Sequence, residues 1–302
     1  MNSWRDSTKC QYDSYTKQFC VFCKRMEVNP LKATVGQGLE FLHSLHVRGL
    51  SYSSINTARS AISSFLSIGS RKIEFGSHKL VCQYMKGIFN LKPSLPRYTS
   101  IWDPNKVLKR LSRQQPRRKV SLKVLTLKVV VLLSLLSVQR IQTLHAIRLA
   151  NVSFTDDFVQ IVISEPLKTS TTSRHLEPLM FKKFDANKRL CIYRYLHEYI
   201  ERTRSLRGAE TSLFVSYQKP HAKVSKDTIS RWIRIVLCQS GINIGRFKAH
   251  STRAASASKA ANFVSMNRVL RAGGWSSDST FRKHYKLPTI HISVQTAVLQ
   301  NV

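Results

Sequence analysis

His250-Ser-Thr-Arg253, Gly273-Gly-Trp275 and Phe281-Arg-Lys-His-Tyr285, all in the last fifth of a 302-residue chain, decide how the rest of the sequence is read. A histidine and an arginine three residues apart share one helical face if the small-residue run Ser251 to Ala261 is helical. They would then stand at the start of that helix, where backbone N–H groups attract phosphate. Tyr285 lies among Arg282, Lys283, His284 and Lys286, a setting too polar for an ordinary core strand, and the neighbouring positive charge favours ionisation of a phenol. Taken singly, each is better explained by structure: a capping histidine beside a surface arginine, and a tyrosine packed at a loop before Pro288.

Together these residues offer most of what metal-free cleavage of a phosphodiester needs: a nucleophile, donors for the non-bridging oxygens, an acid for the leaving oxygen and a base for the nucleophile. Arginine suits the oxygens because its planar fork stays charged and donates two parallel hydrogen bonds. A phenol suits covalent transfer, since its phosphate ester keeps the bond energy and can be reversed by a hydroxyl.

Charge points to the substrate. Lys and Arg number 49 against 16 Asp and Glu, a formal charge of +33 that is tolerable only beside a polyanion. No acid lies between Asp103 and Asp156, between Asp227 and Asp278, or after Asp278. The first gap holds Lys106, Lys109, Arg110, Lys128, Arg140 and Arg148 among other cations, and the second holds Arg246, Arg253, Lys259 and Arg271 among others. Such gaps predict positive surfaces that track a phosphate backbone, and double-stranded DNA is the expected partner. Charge alone fits a ribosomal or histone-like binder equally well. A metal-dependent nuclease is disfavoured, because acids are sparse and no paired carboxylates accompany the basic motifs.

Six scattered cysteines follow no disulfide pattern, and the amino terminus has no apolar signal region, so a reduced, intracellular protein without a membrane span is expected. Cys20 and Cys23 have zinc-like spacing without a second pair, and read as two buried thiols on a helix. Val129 to Val138 is too short to cross a bilayer and reads as a core helix. Neither metal nor cofactor is called for.

Apolar residues recur at helical spacing in Tyr12-Tyr15-Phe19-Phe22, in Leu39-Phe41-Leu42-Leu45, and in Ile55-Ala58-Ile62-Phe65, the last opening on serines able to cap it. Residues 1–92 are therefore expected to form a helical domain. Pro93, Pro96 and Pro104 mark 93–103 as a linker, and 104–302 as a second domain. Within it the period changes to two at Phe158 to Ser164, followed by a turn through Pro166 to Thr172 and a strand at His175 to Leu179. Helix resumes around Ile192 to Tyr199, Ile229 to Val236, Ala254 to Val264 and Met266 to Ala272. The expected fold is mainly α with a small antiparallel β-sheet.

His250-Ser-Thr-Arg253, Ala272-Gly-Gly-Trp275 and Thr280-Phe-Arg-Lys-His-Tyr285 resemble the carboxy-terminal motif of the tyrosine recombinases, the phage-integrase family, and most those of eukaryotic mobile elements. Trp275 follows Arg253 by 22 residues and Tyr285 follows Trp275 by 10, about one more than is common. The resemblance implies two further residues. Arg140 in Leu135-Leu-Ser-Val-Gln-Arg140-Ile-Gln-Thr-Leu matches the family's first arginine, and Lys168 in Glu165-Pro-Leu-Lys168-Thr-Ser-Thr-Thr matches its hairpin lysine. Thr143 stands where an acid is usual. Leu50 to Phe65 resembles the family's helical core-binding domain, so the resemblance covers nearly the whole chain.

The resemblance implies a helical core-binding domain followed by an α+β catalytic domain. Arg140 and Arg253 would clamp the scissile phosphate, Lys168 would protonate the leaving 5′ oxygen, His250 would assist proton removal from Tyr285, and Trp275 would orient the phosphate through its indole N–H. Tyr285 would attack to give a 3′-phosphotyrosyl intermediate, on a homo-tetramer assembled on DNA. The tail after Tyr285, including Ile290-His-Ile-Ser-Val, could dock on a neighbour. The alternatives are a catalytically silent DNA-binding descendant and a type IB topoisomerase-like enzyme. Arg113 to Lys119 reads either as a nuclear import signal or as a DNA-facing run.

Overall fold

The computed structural model describes residues 4–68, 74–93, 97–114, 118–167, 170, 175–275 and 278–288, with side chains at 280, 283 and 284 left aside. Two compact units divide between Pro96 and Arg97. The stretch 93–103 is thus split: Tyr98, Ile101 and Trp102 belong to the core of the second unit.

In the first unit, α1 (Asp6–Arg25), α2 (Val35–Val47), α3 (Tyr52–Leu66) and α4 (Lys79–Leu91) enclose Phe19, Phe41, Leu45, Ile55, Ile62 and Phe75. Their starts are written locally. Thr34 and Gln37 form a reciprocal capping box at α2, and the Ser51 hydroxyl accepts the Ser54 N–H at α3. The helix α4 is additional to those read from sequence, and buries Val81, Met85 and Ile88 along one stripe. Cys20 is half-buried and Cys23 buried, and burial pushes the Cys23 thiol up to about 11. No group of three metal-ligating side chains occurs among the described residues.

The second unit is built around α6 (Leu122–Ser137). Its Val129 to Leu133 run is buried on every side, which is why the sequence there lacks an amphipathic period. Against it pack α8 (Ile192–Arg204), α9 (Lys226–Gln239) and α10 (Ser251–Ala260). The serines and alanines of α10 permit a close approach: Ser134 Oγ on α6 donates to Thr252 Oγ1 at 2.9 Å. Before α6 lies α5 (Pro104–Ser112), capped by the Asp103 carboxylate, and after it the short α7 (Ile141–His145).

A three-stranded antiparallel sheet runs β1 (Val152–Phe154), β2 (Phe158–Ile161) and β3 (Leu179–Lys182). The last strand starts where the expected one was to end. Pro178 has no N–H to give a partner, so pairing begins after it, with Leu179 and Phe181 inward and Met180 and Lys182 outward. The chain closes with α11 (Met266–Gly273) and α12 (Asp278–His284). The expected mainly α fold with a small antiparallel sheet is the one observed.

Several cations expected on a positive surface are otherwise engaged. Lys128 is fully buried, its ammonium donating to the carbonyls of Leu111 (2.6 Å) and Gln114 (3.3 Å) over the face of Tyr195. Arg148 pairs with Glu165 and Arg271 with Glu177.

Candidate active site

The residues singled out near the carboxy terminus converge on the head of α10. Arg253 lies one turn into that helix and is 3 % exposed. Its Nη2 donates to the Gly273 carbonyl at 2.8 Å, and its guanidinium carbon sits 3.9 Å from the centroid of the Trp275 ring and 5.4 Å from that of Tyr285. Nε and Nη1 are buried without a hydrogen-bond partner among the described residues. Burial and the charge of Arg140 both push the guanidinium below its usual pKa, and the phenol of Tyr285 opposes them. Arginine keeps its proton at neutral pH nonetheless, so the two buried donors remain charged.

Trp275 is buried against Phe281 and Tyr285, its ring 4.8 Å from the phenol ring in an edge-on arrangement. It reaches that position because residue 273 is glycine: a Cβ there would lie 1.8 Å from the indole Cζ3. Gly274 then takes a left-handed φ of 68° and ends α11. The indole therefore supports the arginine face.

Tyr285 follows α12 directly and is half-buried. Its backbone is held from α10: the Ser258 hydroxyl donates to the Tyr285 carbonyl at 2.5 Å and accepts the Leu287 N–H at 3.0 Å. The Ile101 N–H donates to the Pro288 carbonyl at 3.0 Å, fixing the exit of the same segment.

His250 occupies the position before α10, but its side chain makes no capping bond. Its Nε2 lies 3.2 Å from Tyr98 Oη and 3.4 Å from Arg97 Nη1. The N–H groups of Ser251, Thr252 and Arg253 already bond to the carbonyls of Lys248, Ala249 and His250. The N–H groups expected to be free at this helix start are thus already engaged within the turn.

Arg140 stands at the start of α7, half-buried, with extended backbone after the left-handed Val138 (φ 55°). Its support is made without an acid. Gln139 is 3 % exposed, donates from Nε2 to the Ala272 carbonyl at 2.5 Å and accepts from Thr143 Oγ1 at 3.2 Å. The consecutive carbonyls of Ala272 and Gly273 thus receive Gln139 and Arg253, which joins the Arg140 turn to the Trp275 turn. Lys168, and the tail from 289 that includes Ile290 to Val294, lie outside the described residues.

Sequence reasoning passed over Tyr98, Gln139 and Ser258. Tyr98 and Trp102 carried a usable signal, since two large aromatics in a proline-rich stretch are costly to leave in water.

The sequence pattern of the phage integrase family matches residues 105–289. The chain belongs to that family, the tyrosine recombinases, enzymes that break and rejoin DNA strands. No curated protein matches it in sequence. Solved structures share its fold at low identity. The Tn1549 transposon integrase in complex with transposon right end DNA is 14 % identical with a TM-score of 0.62, over 99 % of this chain and 94 % of that one. The XerH site-specific recombinase bound to its difH substrate is 14 % identical with a TM-score of 0.61, over 96 % and 76 %. A lambda integrase tetramer bound to a Holliday junction is 17 % identical with a TM-score of 0.58, over 94 % and 73 %. Among the described residues no helix is long and apolar enough to cross a membrane.

Proposed function

We propose that this recombinase cuts and rejoins double-stranded DNA at specific sites through a 3′-phosphotyrosyl linkage at Tyr285, in the service of a mobile element. The observation that carries the reading is Arg253: a buried guanidinium whose Nε and Nη1 have no hydrogen-bond partner among the described residues, packed against Trp275 and Tyr285 and close enough to feel Arg140. Leaving such donors buried and unpaired costs about 1–3 kcal/mol or more, which an incoming phosphate recovers. The net charge of +33 supplies the long-range attraction for DNA.

Arg140 and Arg253 hold the non-bridging oxygens while the Tyr285 oxygen attacks phosphorus, His250 assists removal of the phenolic proton, and Trp275 completes the surround. The bond to the 5′ oxygen breaks, Lys168 delivers its proton, and a 5′-hydroxyl is released. In the reverse sense, a 5′-hydroxyl of a partner strand attacks the phosphotyrosine and frees Tyr285. The ester conserves the bond energy, so no metal or nucleotide enters the scheme. Exchange between two sites requires four active centres, and a homo-tetramer on DNA is the assembly this chemistry implies. If the host is eukaryotic, the work is done in the nucleus.

The test is a nicked suicide substrate carrying the element's terminal sequence. Wild type is expected to yield a covalent protein–DNA adduct and Tyr285→Phe none. An adduct from Tyr285→Phe would displace Tyr285 as nucleophile, and none from wild type would favour a silent DNA-binding protein.

A further inference from the structure

We propose that Ser258 is a positioning residue for the nucleophile: its hydroxyl clasps the backbone on both sides of Lys286 and so aims the Tyr285 phenol at the scissile phosphorus. This rests on the recombinase reading and adds to it a residue that acts through Tyr285.

A serine or threonine inside a helix commonly returns its proton to the carbonyl four residues back. Ser137 in α6 and Thr203 in α8 do so, bonding to the carbonyls of Leu133 and Tyr199 at 2.6 and 2.7 Å. Ser258, buried on α10, reaches out of its helix instead. Its hydroxyl donates to the Tyr285 carbonyl at 2.5 Å and accepts the Leu287 N–H at 3.0 Å, so its proton and a lone pair both go to the segment that carries the phenol.

That segment needs an outside hold. The Phe281 carbonyl accepts the N–H groups of both Tyr285 (2.8 Å) and Lys286 (3.1 Å), and α12 ends at the residue before the phenol. The Tyr285 carbonyl is then left to the Leu287 N–H, at 3.1 Å, and to Ser258. With its amide held by Phe281 and its carbonyl by Ser258, Tyr285 has a fixed Cα–Cβ direction. Trp275 and Phe281 confine the ring at centroid distances of 4.8 and 6.4 Å, with the Arg253 guanidinium carbon 5.4 Å away. Attack requires the phenolic oxygen in line with the departing 5′ oxygen, and a misplacement of about 1 Å can cost ~100-fold in rate.

Ser256 supplies the control. It is buried two residues earlier on the same helix, and its hydroxyl has no hydrogen-bond partner among the described residues. Single-turnover adduct formation on suicide DNA carrying the element's terminal sequence is followed across protein concentrations, which separates the limiting rate from the half-saturating concentration. Ser258→Ala is expected to lower the limiting rate by about 10–100-fold and to leave the half-saturating concentration within about twofold of wild type. Ser256→Ala is expected to change neither, and Ser258→Thr, which keeps the hydroxyl, to restore most of the rate. A wild-type limiting rate in Ser258→Ala overturns the proposal, and so does a change confined to the half-saturating concentration. An equal fall in Ser256→Ala, or a threonine no faster than alanine, overturns it too, because general loosening of α10 would then account for the loss. Absence of a Tyr285-dependent adduct from wild type overturns the recombinase reading itself, and this proposal with it.

Discussion

The Arg253 guanidinium lies 3.9 Å above the ring of Trp275, so the indole acts as a floor for it. A desolvated cation–π contact of this kind is worth about 2 kcal/mol. Trp275→Phe keeps a smaller and weaker face, and is expected to lower the adduct-forming rate up to about tenfold while DNA affinity in a gel-shift titration stays near wild type. Trp275→Ala leaves a cavity costing about 3–5 kcal/mol, visible as a lower denaturant midpoint.

Gly273 has no room for a side chain. Gly273→Ala puts a methyl 1.8 Å from the indole, and the ring must leave its place under Arg253. Destabilisation of about 1–3 kcal/mol is expected, together with loss of adduct. Gly87, in the middle of α4 with open space around it, is the contrast: Gly87→Ala is expected to stabilise by about 0.5–1 kcal/mol. Urea denaturation of the two variants beside wild type checks both signs.

Gln139 does for the Arg140 turn what a carboxylate would otherwise do. Gln139→Leu removes the bond to the Ala272 carbonyl and strands Thr143 Oγ1 in a buried site, at about 1–3 kcal/mol. Adduct formation is expected to fall by an order of magnitude or more, corresponding to at least about 1.4 kcal/mol of transition-state stabilisation. Adding Thr143→Val should cost little further, because both substitutions break one chain of bonds. Full additivity of the two would separate them.

Burial lowers the Lys128 pKa from 10.5 to about 7. Between these values the unfolded chain binds a proton that the folded one does not, so this group makes stability rise with pH from about 7 to 10.5 and is without effect on the slope outside that window. The stability difference between wild type and Lys128→Met should shift in favour of wild type across that range. Denaturant midpoints at pH 7 and pH 10 provide the measurement, and a constant difference would refute it.

Much of this was legible from residues alone where local chemistry repeats a pattern. The serine cap of α3, the uninterrupted apolar run of α6 and the small residues of α10 each dictate their own element. The strand at Leu179 shifted because Pro178 constrains pairing in a way that alternation does not reveal. The candidate site was legible only as a list of residues. Its supporting bonds join Tyr98 to His250, Gln139 to Ala272 and Ser258 to Tyr285, pairs separated by 152, 133 and 27 residues, and no local pattern encodes such distances.

Ser258 has a further consequence. The hydroxyl that grips the carbonyl of Tyr285 and the N–H of Leu287 stands five residues beyond Arg253 on one helix, about 7.5 Å along its axis at 1.5 Å per residue. The proposed nucleophile and the proposed clamp are therefore gauged by a single rigid ruler within one chain. A displacement of α10 carries the backbone of Tyr285 and the guanidinium of Arg253 together, so the spacing between them is set within this one helix and the segment it holds.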